Sequence, residues 1–174
     1  MILLSCVAPL GAWAAPSVEH LTVNGRTNPL GIGADEVSFA WALAAEARGV
    51  VQTGYQVRVG TAEGGNDVWD SGQIGSPRQI DIPLPSDLRL APATPYYWQV
   101  RIWTDEASCS DWSSPAQFET GLLFAHDWSG AQWIAHPLRS VASAGSAPGD
   151  SVTPRPLLRG SILVTKPVKR ARVY

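Results

Sequence analysis

Apolar and polar residues alternate at period two through much of this chain, in short runs divided by Gly, Pro, Asn, Asp and Ser. That period belongs to strands buried on one side. The clearest run is Tyr96-Tyr-Trp-Gln-Val-Arg-Ile-Trp103, where Tyr96, Trp98, Val100 and Ile102 alternate with Tyr97, Gln99, Arg101 and Trp103. Pro92 and Thr94 put a bend before it, and a Tyr opening such a strand is expected to return its hydroxyl to upstream backbone. Val37, Phe39, Trp41 and Leu43 alternate in the same way with Ser38, Ala40 and Ala42, and Gly54-Tyr-Gln-Val-Arg-Val59 repeats the pattern. Burying each large side chain contributes roughly 1.5–3 kcal/mol.

Shorter signals complete the set. Val18, Leu21 and Val23 predict an opening strand ended by the Asn24-Gly25 turn. Asn28 to Gly33 predicts a loop, because Pro29 lacks a ladder donor and the glycines admit positive φ. Val68-Trp-Asp-Ser-Gly72 predicts a short strand closing in a turn, and Ile80 and Ile82 mark another, ended by Pro83 and Pro85. Ala116 to Thr120 is the last, and its pairing with the Tyr96–Trp103 strand is expected to close the sandwich. The predicted class is all-β, one sandwich over residues 16–123, near the ~100 residues such a domain takes.

Beyond it the pattern changes. Residues 124–156 read as a connector (Asp127 to Ile134) and a flexible linker rich in Ser, Ala, Gly and Pro. Residues 157–174 read as the first strands of an incomplete second β-sandwich. A hairpin alone is marginal, so the chain is expected to be the front of a longer protein. Residues 1–15 read as a signal peptide, with an apolar Met1–Leu10 stretch and Ala12-Trp-Ala14 as a small-x-small cleavage pattern, although no Lys or Arg precedes it. The expected location is periplasmic or extracellular, with no membrane span, since the apolar run falls short of the ~20 residues needed.

Composition narrows the chemistry. Charged residues make up 16% of the 174, and there are eight Trp, which suits a small aromatic core. A net charge of −2 offers no basic face for nucleic acid; Lys166, Lys169, Arg170 and Arg172 read as the solvent face of a strand. The chain has two Cys; with the leader removed, Cys109 has no disulfide partner, and without a neighbouring His in sequence it is no nucleophile. Asp35, Glu36, Asp67, Asp70, Asp105, Glu106, Asp111 and Asp127 are scattered through turns, and His20, His126 and His136 lack metal-site spacing. No catalytic residue, metal or cofactor is expected. The sharper candidates are Tyr97, Trp103 and Trp112, outward aromatics of the kind that stack on sugar rings. The competing reading is packing, against Trp128, Trp133 or further domains.

The spacing Leu90-x-Pro-x-Thr-x-Tyr-x-Trp-x-Val100, with Trp41 in the second strand and Gly54-Tyr-x-Val-x-Val59 in the third, resembles a fibronectin type III domain, an Ig-like fold. The ordered set Asn28-Pro-Leu-Gly-Ile32, Gln52-Thr-Gly-Tyr-Gln-Val57, Trp69-Asp-Ser-Gly72, Tyr97-Trp-Gln-Val-Arg-Ile-Trp103, Phe118-Glu-Thr-Gly-Leu-Leu123 and Trp128-Ser-Gly-Ala-Gln-Trp-Ile134 resembles the amino-terminal part of bacterial α-L-rhamnosidases of glycoside hydrolase family 78. The tail, Leu157-Leu-Arg159 with Val168-Lys-Arg-Ala-Arg-Val-Tyr174, resembles the opening of that family's next β-domain.

The resemblance implies a parent enzyme that removes terminal α-L-rhamnose from glycosides, with its acidic catalytic residues in a downstream (α/α)₆ barrel. It therefore implies a non-catalytic module here, whose partner is the downstream catalytic domain of the same polypeptide. Two alternatives stand beside it. One is a standalone secreted carbohydrate-binding or adhesion module. The other is a receptor-like fibronectin domain, which Trp112-Ser-Ser-Pro115 also fits.

Overall fold

In a computed structural model of the chain, residues 15–33, 37–105, 109–132, 134 and 159–172 are described. Residues 1–14 of the expected leader, Asp35, Glu36, Glu106, Trp133, His136 and almost all of the linker lie outside those residues. Seven strands are present among the described residues: β1 (Ser17–Val23), β2 (Ser38–Ala44), β3 (Gln52–Gly60), β4 (Trp69–Asp70), β5 (Ile82–Pro83), β6 (Pro95–Thr104) and β7 (Ala116–Glu119). They form two antiparallel sheets, ordered β1-β2-β5 and β4-β3-β6-β7. This is the expected all-β sandwich.

The alternation dictates the core. Phe39 and Trp41 from one sheet meet Tyr55, Val57, Val59, Tyr96, Trp98, Val100, Ile102 and Phe118 from the other, all buried. Phe39 is the hub, with ring centroids 4.7 Å from Trp98, 6.1 Å from Phe118 and 6.2 Å from Trp69. The corner before β6 forms as expected: the Ala91 N–H donates to Tyr96 Oη at 2.7 Å, and Ala93 holds φ +49° in the bend.

Three details depart from the linear reading. The spacing of Val18, Leu21 and Val23 breaks alternation because β1 carries a bulge between Glu19 and Thr22, with His20 at φ +52°; one extra residue restores the inward side. The Asn28–Gly33 stretch is more than a loop. Asn28 Oδ1 accepts from Gln117 N–H, Pro29 O from Glu119 N–H, and Ile32 bridges Thr120 in parallel. It covers the otherwise open edge of β7, a device that blocks strand-to-strand association. Gly121 permits the approach, because a Cβ there would stand 3.2 Å from Gly31 O.

Ile80 is the third. It is 64% exposed and outside β5, because the chain between β4 and β5 is crossing from one sheet to the other. Ile74 exchanges backbone hydrogen bonds with Tyr55 of one sheet, and Gln79 O accepts from Trp41 N–H of the other. Buried Gln52 pins this crossing: Oε1 accepts from Trp41 Nε1 at 3.0 Å, and Nε2 donates to Ser76 O and Arg78 O.

Cys109 forms an isolated β-bridge with Trp103 at the end of β6 and is disulfide-bonded in the full chain. The expectation of an unpaired thiol applies to a chain without its leader, and residues 1–14 of the leader lie outside the described residues. The chain divides into two compact units at Asp127–Trp128. In the second, the described residues 159–172 carry no strand, and Ile162 and Leu163 are exposed. The two strands expected over 157–174 are thus absent among those residues. A lone hairpin has no third strand or helix to cover its apolar side.

Candidate functional site

The sequence candidates sit on the outer face of the β4-β3-β6-β7 sheet. Register places Gln99 across from Arg58, Arg101 across from Gln56, Trp103 across from Gly54 and Tyr97 across from Gly60. Side chains on one face of paired strands are neighbours, and here they interlock. Arg58 donates through Nε and Nη2 to Gln99 Oε1 (3.2 and 2.7 Å), while Arg101 does the same to Gln56 Oε1 (3.0 and 2.7 Å). Gln99 Nε2 passes on to Ser113 O, and Gln56 Nε2 to Asp70 Oδ1 at 2.6 Å.

The guanidiniums also cover the aromatic rings. Arg101 Cζ lies 5.1 Å from the Trp103 ring centroid and 4.8 Å from that of Trp112, and Arg58 Cζ lies 4.1 Å from Trp112. The contacts run Trp103, Arg101, Trp112, Arg58, within cation–π range throughout. Trp103 and Trp112 are therefore brought together, through Arg101. Tyr97 is on the same face but outside this stack, between Gly60 and Gln117. Trp103 lies over Gly54, with ring and Cβ atoms 3.7 Å from where a Cβ on that glycine would be.

The carboxylates nearby serve turns. Burial works to raise the Asp70 pKa, but hydrogen bonds from Gln56, the Gly72 N–H and Asn66, with Arg101 close by, bring it below the ordinary value. Asp67 is also lowered, chiefly by the Thr61 hydroxyl and then the Thr61 N–H, both closing the β3–β4 loop. Tyr55, in the core, is raised by burial, with Arg78 opposing.

A second built feature lies where the chain leaves the sandwich. Gly121 N–H donates to Ile32 O, and Gly121 O accepts from Ala93 N–H. Asp127 Oδ2 then accepts from both Leu123 N–H (2.9 Å) and Phe124 N–H (2.8 Å), closing a 3₁₀ turn over Ala125–Trp128. The His126 ring lies parallel to Phe124 at 5.3 Å. Sequence reading placed Asp127 in a turn but missed its double acceptance, which depends on the chain folding back locally.

Residues 18–124 match the family described as Rha78A-like, N-terminal immunoglobulin domain. The chain belongs to that family. An alpha-L-rhamnosidase of Streptomyces avermitilis is 39% identical over 140 residues, 79% of this chain but 13% of the relative. One from Formosa agariphila is 32% identical over 167 residues, 90% of this chain and 17% of the relative. Among solved structures, the Streptomyces avermitilis alpha-L-rhamnosidase complexed with L-rhamnose superposes with TM-score 0.65 at 38% identity, over 72% of this chain and 12% of that one. The alpha-L-rhamnosidase from Dictyoglumus thermophilum gives 0.63 at 34% identity, over 68% and 14%. This Rha78A-like chain thus spans well under a fifth of its relatives' length. The matched part is the immunoglobulin-like domain, the Ig-like sandwich described above.

Proposed function

We propose that this chain is the non-catalytic N-terminal β-sandwich module of an exported α-L-rhamnosidase, bracing and orienting the catalytic domain of the same polypeptide. The observation that carries this is the family match over 18–124, with rhamnosidase relatives of which the chain covers about an eighth. The parent enzyme would act on glycosides ending in α-L-rhamnose. Inverting hydrolysis needs two carboxyl groups ~6.5–9.5 Å apart across the scissile bond. Here Asp67, Asp70 and Asp127 are each engaged in closing a turn, which supports a scaffolding role.

The outer-face aromatics fit the same reading. Trp103 and Trp112 already carry guanidiniums over their rings, which leaves less aromatic face for a sugar. A Trp103→Ala variant is expected to lose stability with no change in rhamnose affinity; a loss of affinity at unchanged stability would favour the binding-module alternative.

Activity tests the main reading. The 174-residue chain is expected to leave an aryl α-L-rhamnoside intact, and the polypeptide translated through the Tyr174 codon into any continuing frame is expected to hydrolyse it. Turnover by the short chain would overturn the scaffold role. A stop codon directly after Tyr174 would overturn the parent enzyme. Leader cleavage is tested by the mature N-terminus, expected at Ala15 or Pro16; recovery of an intact Met1 peptide from secreted protein would count against cleavage, and absence of the protein from the exported fraction would count against export.

A further inference from the structure

We propose that the concavity between the Asn24–Gly25 turn and the Arg78–Ser86 segment is a binding site for a neutral saccharide. This gives the chain a ligand of its own beside the bracing role, and it does not depend on that role. The concavity holds about 710 Å³, a size suited to a small molecule. Asn24, Ser38, Arg78, Asp81 and Ser86 supply its polar side chains, while Val37, Pro83 and Leu84 supply apolar surface.

Unspent hydrogen-bonding capacity separates this place from the outer face of the other sheet, where Arg58, Arg101, Gln56 and Gln99 satisfy one another. Asn24 and Arg78 are each fixed through one atom and keep another available. Asn24 Oδ1 accepts from the Ser38 N–H at 2.9 Å and the Ser38 hydroxyl at 3.3 Å, while its Nδ2 has no partner among the described residues. Arg78 Nε donates to Ile80 O at 2.8 Å, which holds the guanidinium and leaves both Nη groups. The Asp81 carboxylate and the Ser86 hydroxyl likewise have no side-chain partner among the described residues. The frame is set by backbone pairing: Asn24 N–H donates to Ser38 O, Leu84 N–H to Val37 O, and Ser38 pairs with Pro83 across β2 and β5. A preformed site lowers the ordering cost of binding.

The lining selects the ligand. Arg78 and Asp81 are its charged members among the described residues, one of each sign, so the site favours a neutral molecule. Donors at Asn24 Nδ2 and the Arg78 Nη groups stand beside an acceptor at Asp81. A hydroxyl both donates and accepts, whereas a carboxylate only accepts and an ammonium only donates. Val37, Pro83 and Leu84 offer cover to the C–H face of a sugar ring. The polar groups exchange water for ligand, so each bond contributes little net and the affinity is on the order of millimolar.

Backbone amide NMR shifts of the 174-residue chain, titrated with L-rhamnose and with D-mannose, test this. Saturable shifts are expected at Gly25, Ser38, Asp81 and Ser86, with Tyr97, Trp103 and Trp112 unmoved. Asp81→Gly removes the carboxylate at a residue whose φ of +53° suits glycine. It should weaken binding about tenfold and leave the melting temperature unchanged. Arg78→Lys keeps the charge and loses the planar fork, and it should weaken binding to a similar degree. No saturable shift with either sugar would overturn the proposal, as would saturation confined to the Trp103 and Trp112 face. An equal response to inorganic phosphate would make the place an anion site and overturn it too, and so would undiminished binding by both variants. None of these outcomes touches the module reading, which hydrolysis by the longer polypeptide decides.

Discussion

The two faces of β6 follow one alternation and are closed by different physics. Tyr96, Trp98, Val100 and Ile102 turn inward and are sealed by apolar residues of both sheets. Tyr97, Gln99, Arg101 and Trp103 turn outward, yet Gln99 is only 7% exposed. There the cover comes from guanidinium stems, amides and indoles drawn from β3, β6 and the approach to β7. The inner face excludes water by area. The outer face stays largely half-buried and pairs its polar groups with one another, and no buried side-chain nitrogen or oxygen among the described residues lacks a partner. Long Arg side chains suit this task, since the stem packs while the head bonds.

If the faces differ in this way, breaking them should have unequal cost. Trp98→Ala opens a cavity between the sheets and is expected to destabilise by about 3–5 kcal/mol, read as a lowered denaturant midpoint. Trp112→Ala removes an indole shared by two guanidiniums and is expected to cost about 1–2 kcal/mol. A double-mutant cycle with Arg58→Ala sharpens the point. Coupling on the order of 0.5–1 kcal/mol is expected if the stack contributes, and strict additivity would show that the indole acts by packing alone.

The smallest effect is in pH. Asp70 has a folded pKa below its unfolded one, so its contribution is present above the unfolded value and is lost as pH falls through the folded value. Acid titration of stability should flatten slightly in Asp70→Asn. An unchanged acid limb would mean that the Gln56 and Arg101 end of the stack adds nothing. In the core, Tyr55 has the opposite sign: its pKa is raised, and its contribution is present below the unfolded tyrosine value and lost as pH climbs through the folded one.

Much of the sandwich was legible in the chain. The long runs that form β2, β3 and β6, the Tyr96 corner and the β6–β7 closure each follow from local patterning, whereas the placing of Ile80 on a strand does not hold. The edge cover by Asn28–Ile32 was not legible, since a Pro- and Gly-containing stretch reads as a loop whether or not it pairs. Gln52 was missed because an isolated Gln carries no periodic signal; its partners Trp41, Ser76 and Arg78 meet only after the crossing segment is laid down. The aromatic candidates were located on the right face, but the cations lying over them were not foreseen.

The sequence by itself determined the period-two strands, which side chains point inward and where the turns fall. Those properties depend on neighbours along the chain and on the fixed geometry of the strand. The tertiary structure alone decided which outward residues are covered, which edge is sealed and how the exit turn is locked. These depend on strand register and on segments distant in sequence, such as Arg58, Arg101 and Trp112. Alternation assigns a side chain to a face; only the paired strands decide what it meets there.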